Sequence, residues 1–146
     1  MDVLKVTKKD LKEIQEMEKE IFSDSWSLKS LESSLEQENS LFLCVKEKGA
    51  ILGYVIFYVA ADEGEIIRIA VKKDRRREGI GQRMLLKIED YCEKKGINTL
   101  YLEVREGNAS AFSFYLESGF INSGLRKDYY ENPKEDAILM KRELGQ

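Results

Sequence analysis

The apolar positions of this chain change period as it is read from the first residue to the last. Val3, Leu4 and Val6 make a short alternating stretch, read as an edge strand. Leu11, Ile14, Met17, Glu18, Ile21 and Phe22 then recur at helical spacing, and Leu28, Leu31 and Leu35 form a second such stripe. Thr7 and Asp10 are available to cap the first helix, and Ser27, with Ser30 or Glu32 nearby, the second. Two continuous apolar runs follow, SLFLCVKE and AILGYVIFYVAAD. Lys48-Gly49 between them reads as a hairpin turn. EIIRIAV, from Glu65 to Val71, is a third core strand. The next helix carries Ile80, Met84, Leu85, Ile88, Tyr91 and Cys92 on one side and stops at Gly96. TLYLEV alternates as a strand, Asn108 opens the helix ASAFSFYLES, and Gly119 closes it. FINSGLRKDYY and DAILMKREL complete the order β-α-α-β-β-β-α-β-α-β-β, with a hairpin turn at Glu131 to Lys134. Such an order predicts an α/β (α+β) fold, a central mixed, largely antiparallel twisted sheet with helices on both faces.

Composition narrows the range of chemistry. The 146 residues are expected to form one domain over 1–146, with 42% hydrophobic and 35% charged residues and a single proline. A formal charge of -3 gives no general attraction for nucleic acid or an anionic membrane, so anion binding has to be local. Histidine is absent, and Cys44 and Cys92 form no CxxC pair, so neither a zinc site nor a histidine-based triad is expected. No metal is expected at all. The charged N-terminus lacks a signal-peptide core, and the longest apolar run, Tyr54 to Ala61, is far short of a membrane span. A reducing cytoplasmic setting is the expectation.

The segment from Ile69 to Gln82, IAVKKDRRREGIGQ, joins a strand to a helix through an arginine-rich, glycine-punctuated turn. Amides at a helix N-terminus lack partners, and the helix dipole favours an anion there. Arg75, Arg76 and Arg77 outnumber the lone Glu78, a suitable setting for a pyrophosphate. A dinucleotide fingerprint is disfavoured because Met84 stands where the third glycine would fall, and no GxxxxGK[ST] motif is present. Alternation in the strand LYLEV sets Tyr101, Glu103 and Arg105 against Leu100, Leu102 and Val104. A carboxylate inside such a strand is either a rim residue paired with Arg105 or Arg68 or a group with chemistry to perform. Asn108 is a plain N-cap or a ligand contact, Tyr115 a core aromatic or a site residue. Tyr129 and Tyr130 are a hairpin pair or a cover over a substrate.

RRREGIG, the block LEVREGNASAFSFYLESGF and the ending YYENPKEDAILM together resemble the GNAT superfamily of acetyl-CoA-dependent N-acetyltransferases, and within it the RimI-type ribosomal protein N-terminal acetyltransferases. DSWS, Asp24 to Ser27, is similar to that branch's signature between the first two helices, so the likeness covers nearly the whole chain. The resemblance implies acetyl-CoA as co-substrate. The backbone of Ile69, Ala70 and Val71 would pair with the pantetheine arm, and Arg76, Arg77, Glu78, Gly79, Ile80, Gly81 and Gln82 would hold the pyrophosphate. Asn108 would add a further cofactor contact. Glu103 is implied as the general base, with Glu65 as its rival, and Tyr115 as the acid that protonates the departing thiolate. Trp26, Glu65, Arg68, Tyr129 and Tyr130 fall on the acceptor side. The implied acceptor is a protein N-terminus, that of ribosomal protein S18, with the enzyme a monomer or homodimer. A small-molecule amine acetyltransferase and a non-catalytic acyl-CoA-binding module are the competing readings. Two positions depart from the branch: Ser25 replaces a frequent proline, and Arg68 replaces a small polar residue. Arg68 is expected to neutralise Glu65 or Glu103, or to meet an acidic acceptor. Glu78 is tolerable in a phosphate loop if its side chain points to solvent.

Overall fold

The computed structural model describes residues 1–144; Gly145 and Gln146, included in the expected domain, lie outside the described residues. The elements are β1 (Asp2–Lys5), α1 (Leu11–Ile21), α2 (Leu28–Glu36), β2 (Ser40–Glu47), β3 (Ala50–Ala60), β4 (Glu63–Val71), α3 (Ile80–Lys95), β5 (Thr99–Arg105), α4 (Ala109–Glu117), β6 (Ile121–Tyr130) and β7 (Glu135–Glu143). Their order is the one the hydrophobic pattern predicts. Local chemistry explains the boundaries: the Ser27 hydroxyl accepts from the Ser30 N–H, the Asn108 side-chain Oδ1 from the Ala111 N–H, and Gly96 closes α3 at φ 73°. Lys48 and Gly49, at φ 52° and 82°, form the two-residue turn between β2 and β3. A second tight hairpin went unread in the sequence. β3 ends at Ala60, which pairs with Glu63, and Ala61 takes φ 56°, a conformation that alanine does not advertise.

Among the described residues seven strands lie in the order β1-β2-β3-β4-β5-β7-β6, and only β4 and β5 run parallel. Each face carries its own core. α3 and α4 cover Val55, Phe57, Ile66, Leu100, Leu102 and Val104, while α1 and α2 cover Phe42, Tyr54, Ile56 and Ala70.

The parallel pair places the site. β4 pairs with β5 only from Glu63–Thr99 to Ile66–Leu102. Beyond that point β5 follows β7 out to Arg105, β4 follows β3 out to Val71, and the two strands part. A bulge begins the separation: Phe57 pairs with Ile66 and Ile56 with Arg68, leaving Ile67 unpaired. An extra residue bends its strand and breaks the alternation of side chains. Ile66, Ile69 and Val71 accordingly pack with the α3–α4 core, whereas Ile67 and Ala70 pack with the α1–α2 core. Arg68 reaches α1 as well, so two consecutive residues share one face.

Candidate active site

On the donor side, the open edge of β4 offers unpaired backbone. Lys72 donates its N–H to the Leu52 carbonyl at 2.8 Å, and Ala70 lies opposite Tyr54. Strand alternation therefore turns the backbone of Ile69 and Val71 into the gap, and commits that of Ala70 to β3. Of the three residues expected to line a pantetheine arm, Ile69 and Val71 are the two with groups to offer. Arg76 extends across the same edge, its Nε donating to the Val71 carbonyl at 3.2 Å.

The following loop curls through Arg77 at φ 66° and Gly79 at φ 82°. α3 then starts without a side-chain cap and without an acidic residue in its first turn. Arg83 makes the first helical bond, to the Gly79 carbonyl at 3.0 Å, so the N–H groups of Ile80, Gly81 and Gln82 remain free for an anion. A side chain at Gly81 would meet the Phe114 ring at 3.0 Å, which makes glycine the price of bringing α3 against α4 here. The arginines divide their labour. Arg75 is held by Glu78 at 2.9 Å and by Glu47 at 3.1 Å, and its hydrogen bonds, helped by its charge, lower the pKa of Glu78. Arg76 and Arg77 stay exposed, so the loop keeps positive charge although Glu78 lies within it.

A cavity of about 880 Å³ occupies the splay between β4 and β5. Its walls include Phe22, Trp26, Ile69, Arg76, Asn108, Tyr115 and Tyr130. A second cavity, about 540 Å³, lies beside Tyr58, Tyr101 and Arg126. Glu65, Leu102 and Glu103 border both.

Glu103, 18% exposed in its side chain, buries Oε2 without a hydrogen-bond partner among the described residues, and Arg126 Nε stands 3.5 Å from that atom. The rim pairing with Arg105 or Arg68, one of the two sequence readings of Glu103, does not occur. Arg105 is engaged by Glu135 and by the carbonyls of Glu131 and Pro133, and Arg68 by Glu18. Burial raises the pKa of Glu65, the neighbouring Glu103 charge raises it further, and Arg126 opposes both. Tyr129, exposed beside Glu103, has its hydroxyl raised by desolvation and by that carboxylate.

Tyr115 is buried, with its ring against Phe114 and Phe120 at centroid distances of 5.4 and 5.8 Å. Burial, reinforced by Tyr130, pushes its hydroxyl well above the usual phenol range and keeps it protonated. Burial with Glu103 nearby pushes the Tyr130 hydroxyl up to about 12, and the Arg105 guanidinium lies 4.4 Å over its ring. Asn108 caps α4 at 3.1 Å and lines the cavity too, so its two readings are compatible.

Of the two sequence readings of Arg68, neutralising Glu65 or Glu103 or meeting an acidic acceptor, the structure corrects the first. Arg68 donates to both oxygens of Glu18, at 3.0 and 2.7 Å, and to the Asp24 carbonyl at 3.1 Å, and it stacks over Phe22 at 3.7 Å. The bulge at Ile67 is the cause, since it turns Arg68 toward α1. Glu18 itself is 0% exposed and also accepts from the Trp26 N–H at 2.9 Å and the Tyr54 hydroxyl. Four donors around one carboxylate fix the turn between α1 and α2, and Trp26 with it. Glu18 was seen in the sequence only as a position on a helical stripe. Its signal was a charge where the stripe is otherwise apolar.

The open β4 edge, the uncapped α3 and the cavity between them fit an acyl-coenzyme A, whose pantetheine amides need strand-like partners and whose pyrophosphate needs free N–H groups. Among the described residues no cluster of metal-binding side chains occurs, and no helix is long and apolar enough to cross a membrane. Comparison with known proteins agrees with this geometry. Residues 11–120 match the Acetyltransferase (GNAT) family. The [ribosomal protein bS18]-alanine N-acetyltransferase of Escherichia coli (strain K12) is 35% identical over 133 residues, 90% of this chain and 89% of that protein. A putative enzyme of the same name from Bacillus subtilis (strain 168) is 30% identical over 90% of this chain and 87% of its own length. The crystal structure of the ribosomal-protein-S18-alanine N-acetyltransferase from Escherichia coli superposes with a TM-score of 0.91 at 31% identity, covering 99% of this chain and 94% of that one. The chain belongs to the GNAT acetyltransferase family and is an acetyl-CoA-dependent N-acetyltransferase.

Proposed function

We propose that this enzyme acetylates the N-terminal α-amino group of a protein, with ribosomal protein S18 as its acceptor and the cytoplasm as its place of work. The observation that carries the reading is the buried Oε2 of Glu103 at the junction of the two cavities, which has no hydrogen-bond partner among the described residues and faces Arg126 at 3.5 Å. A desolvated carboxylate oxygen that accepts no hydrogen bond is poised to accept one from an ammonium or amine. The names of the relatives at 35% and 30% identity support the choice of acceptor.

Acetyl-CoA supplies the activated acetyl group when bound. Ile69 and Val71 hold its amide-bearing arm in line with the sheet, the α3 amides and Arg76 hold its charge, and Glu103 receives the proton of the attacking amine. An α-amino group has a reference pKa of about 7.7 to 8.0, so roughly a tenth is neutral at pH 7, whereas a lysine near 10.4 would cost about 4.6 kcal/mol to deprotonate. One carboxylate base suits the easier amine. Tyr115 serves as a hydrogen-bond donor to the departing sulfur. Full proton transfer from a phenol raised by burial to a thiolate with an ordinary pKa of about 8.5 would run uphill, so its assistance is modest. Alignment of the two substrates contributes more than either proton-handling group.

The deciding experiment incubates the protein with acetyl-CoA and two peptides. One has a free N-terminus of the S18 sequence, and the other is N-blocked with an internal lysine; mass spectrometry then locates the acetyl group. Acetylation of the free N-terminus alone is expected. Modification of the lysine, or of neither peptide, overturns the reading.

A further inference from the structure

Two loops face each other across the mouth of the larger cavity: the α1–α2 turn, which carries Phe22, Asp24 and Trp26, and the β6–β7 turn, with Glu131 and Asn132. A single carboxylate lies between their anchoring arginines. Asp24 Oδ1 is 3.6 Å from Arg68 Nη2, and Asp24 Oδ2 is 3.7 Å from Arg105 Nη2. Behind the first arginine, Glu18 ties the contact into α1. Behind the second, Arg105 donates to the carbonyls of Glu131 and Pro133 at 3.0 Å each and pairs with Glu135 at 3.1 Å, holding the β6–β7 turn closed on itself. The resulting chain of charges runs from α1 through Arg68, Asp24 and Arg105 to β7.

Each guanidinium has a carboxylate of its own, Glu18 behind Arg68 and Glu135 behind Arg105, and Asp24 is the charge that reaches both. Neutralising it leaves those two pairs intact but removes the ionic link between them, which lets the loops move apart. None of this involves the α3 amides or the backbone of Ile69 and Val71.

We propose that Asp24 is a positioning residue that couples the two loops through which the acceptor enters, acting through Arg68 on one side and Arg105 on the other. The inference rests on the acceptor reading given above, because it assigns that mouth to the incoming N-terminus. It predicts an effect on acceptor recognition separate from catalysis.

Steady-state kinetics on the full chain test it. Asp24→Asn should raise the KM for an N-terminally free peptide about fivefold while kcat and the KM for acetyl-CoA stay within about twofold, and Asp24→Glu should restore the peptide KM. Arg105→Lys should raise the peptide KM by itself, and adding Asp24→Asn should change it little further, because both act on one link. A wild-type peptide KM in Asp24→Asn overturns the proposal. So do fully additive effects, which would mean that Asp24 meets the peptide directly. Amide exchange at Glu131, Asn132, Lys134 and Glu135 in the free protein needs no acceptor. If the wild-type enzyme acetylates no N-terminus, faster exchange in Asp24→Asn still supports the coupling, and unchanged exchange overturns it.

Discussion

The donor and acceptor halves of this site are built in different ways. The donor half is nearly contiguous in sequence: the open edge at Ile69 and Val71, the curled loop and the free amides of Ile80 to Gln82 all lie within the segment 69–82. Backbone groups make up most of it. The acceptor half draws on α1, the α1–α2 turn, β4, β5 and the β6–β7 turn, with side chains joined across 50 residues from Glu18 to Arg68 and 30 from Arg105 to Glu135. A backbone cradle needs only the right local conformation, whereas a side-chain pocket needs distant elements held in register.

This division can be broken by mutation. The largest expected effect is on the acceptor side: Glu103→Gln should lower kcat about a hundredfold with acetyl-CoA affinity unchanged, and Tyr115→Phe only severalfold. Should Glu103→Gln react at the wild-type rate while Glu65→Gln does not, Glu65 is the base. On the donor side, Gly79→Val should weaken acetyl-CoA binding about tenfold by calorimetry, because a β-branched residue resists φ 82° and the loop must uncurl. A change in peptide KM alone would show that the two halves are not separable.

The smallest effect concerns stability. Glu65 has its pKa raised in the folded protein by burial and by Glu103. Its ionisation therefore costs stability above the folded pKa, and the cost vanishes below the unfolded value, where both states are protonated. Glu65→Gln should raise the melting temperature slightly at pH 7 to 8, and the gain should disappear as the pH falls below the reference 4.5. An equal gain at every pH would show that packing, not charge, is responsible.

Much of this was legible in the chain. Ser27, Asn108 and Gly96 act as the cap or stop their residue types announce, and the alternation in β5 sets Glu103 on the face opposite the α3–α4 core. Ala61 gave no turn signal, which is why β3 was read two residues too long. Arg68 misled for a related reason. Its partner depends on the bulge at Ile67, and a bulge is a property of two strands together.

Periodicity, caps and the glycine-rich loop belong to local interactions, and by themselves they determined the order of elements, the face of Glu103 in β5 and the glycine-rich entry to α3. The tertiary structure alone decided where β4 parts from β5, which carboxylate Arg68 meets, and that Asp24 stands between two arginines. Those outcomes depend on pairing between segments distant in sequence, for which no single stretch of the chain carries the information.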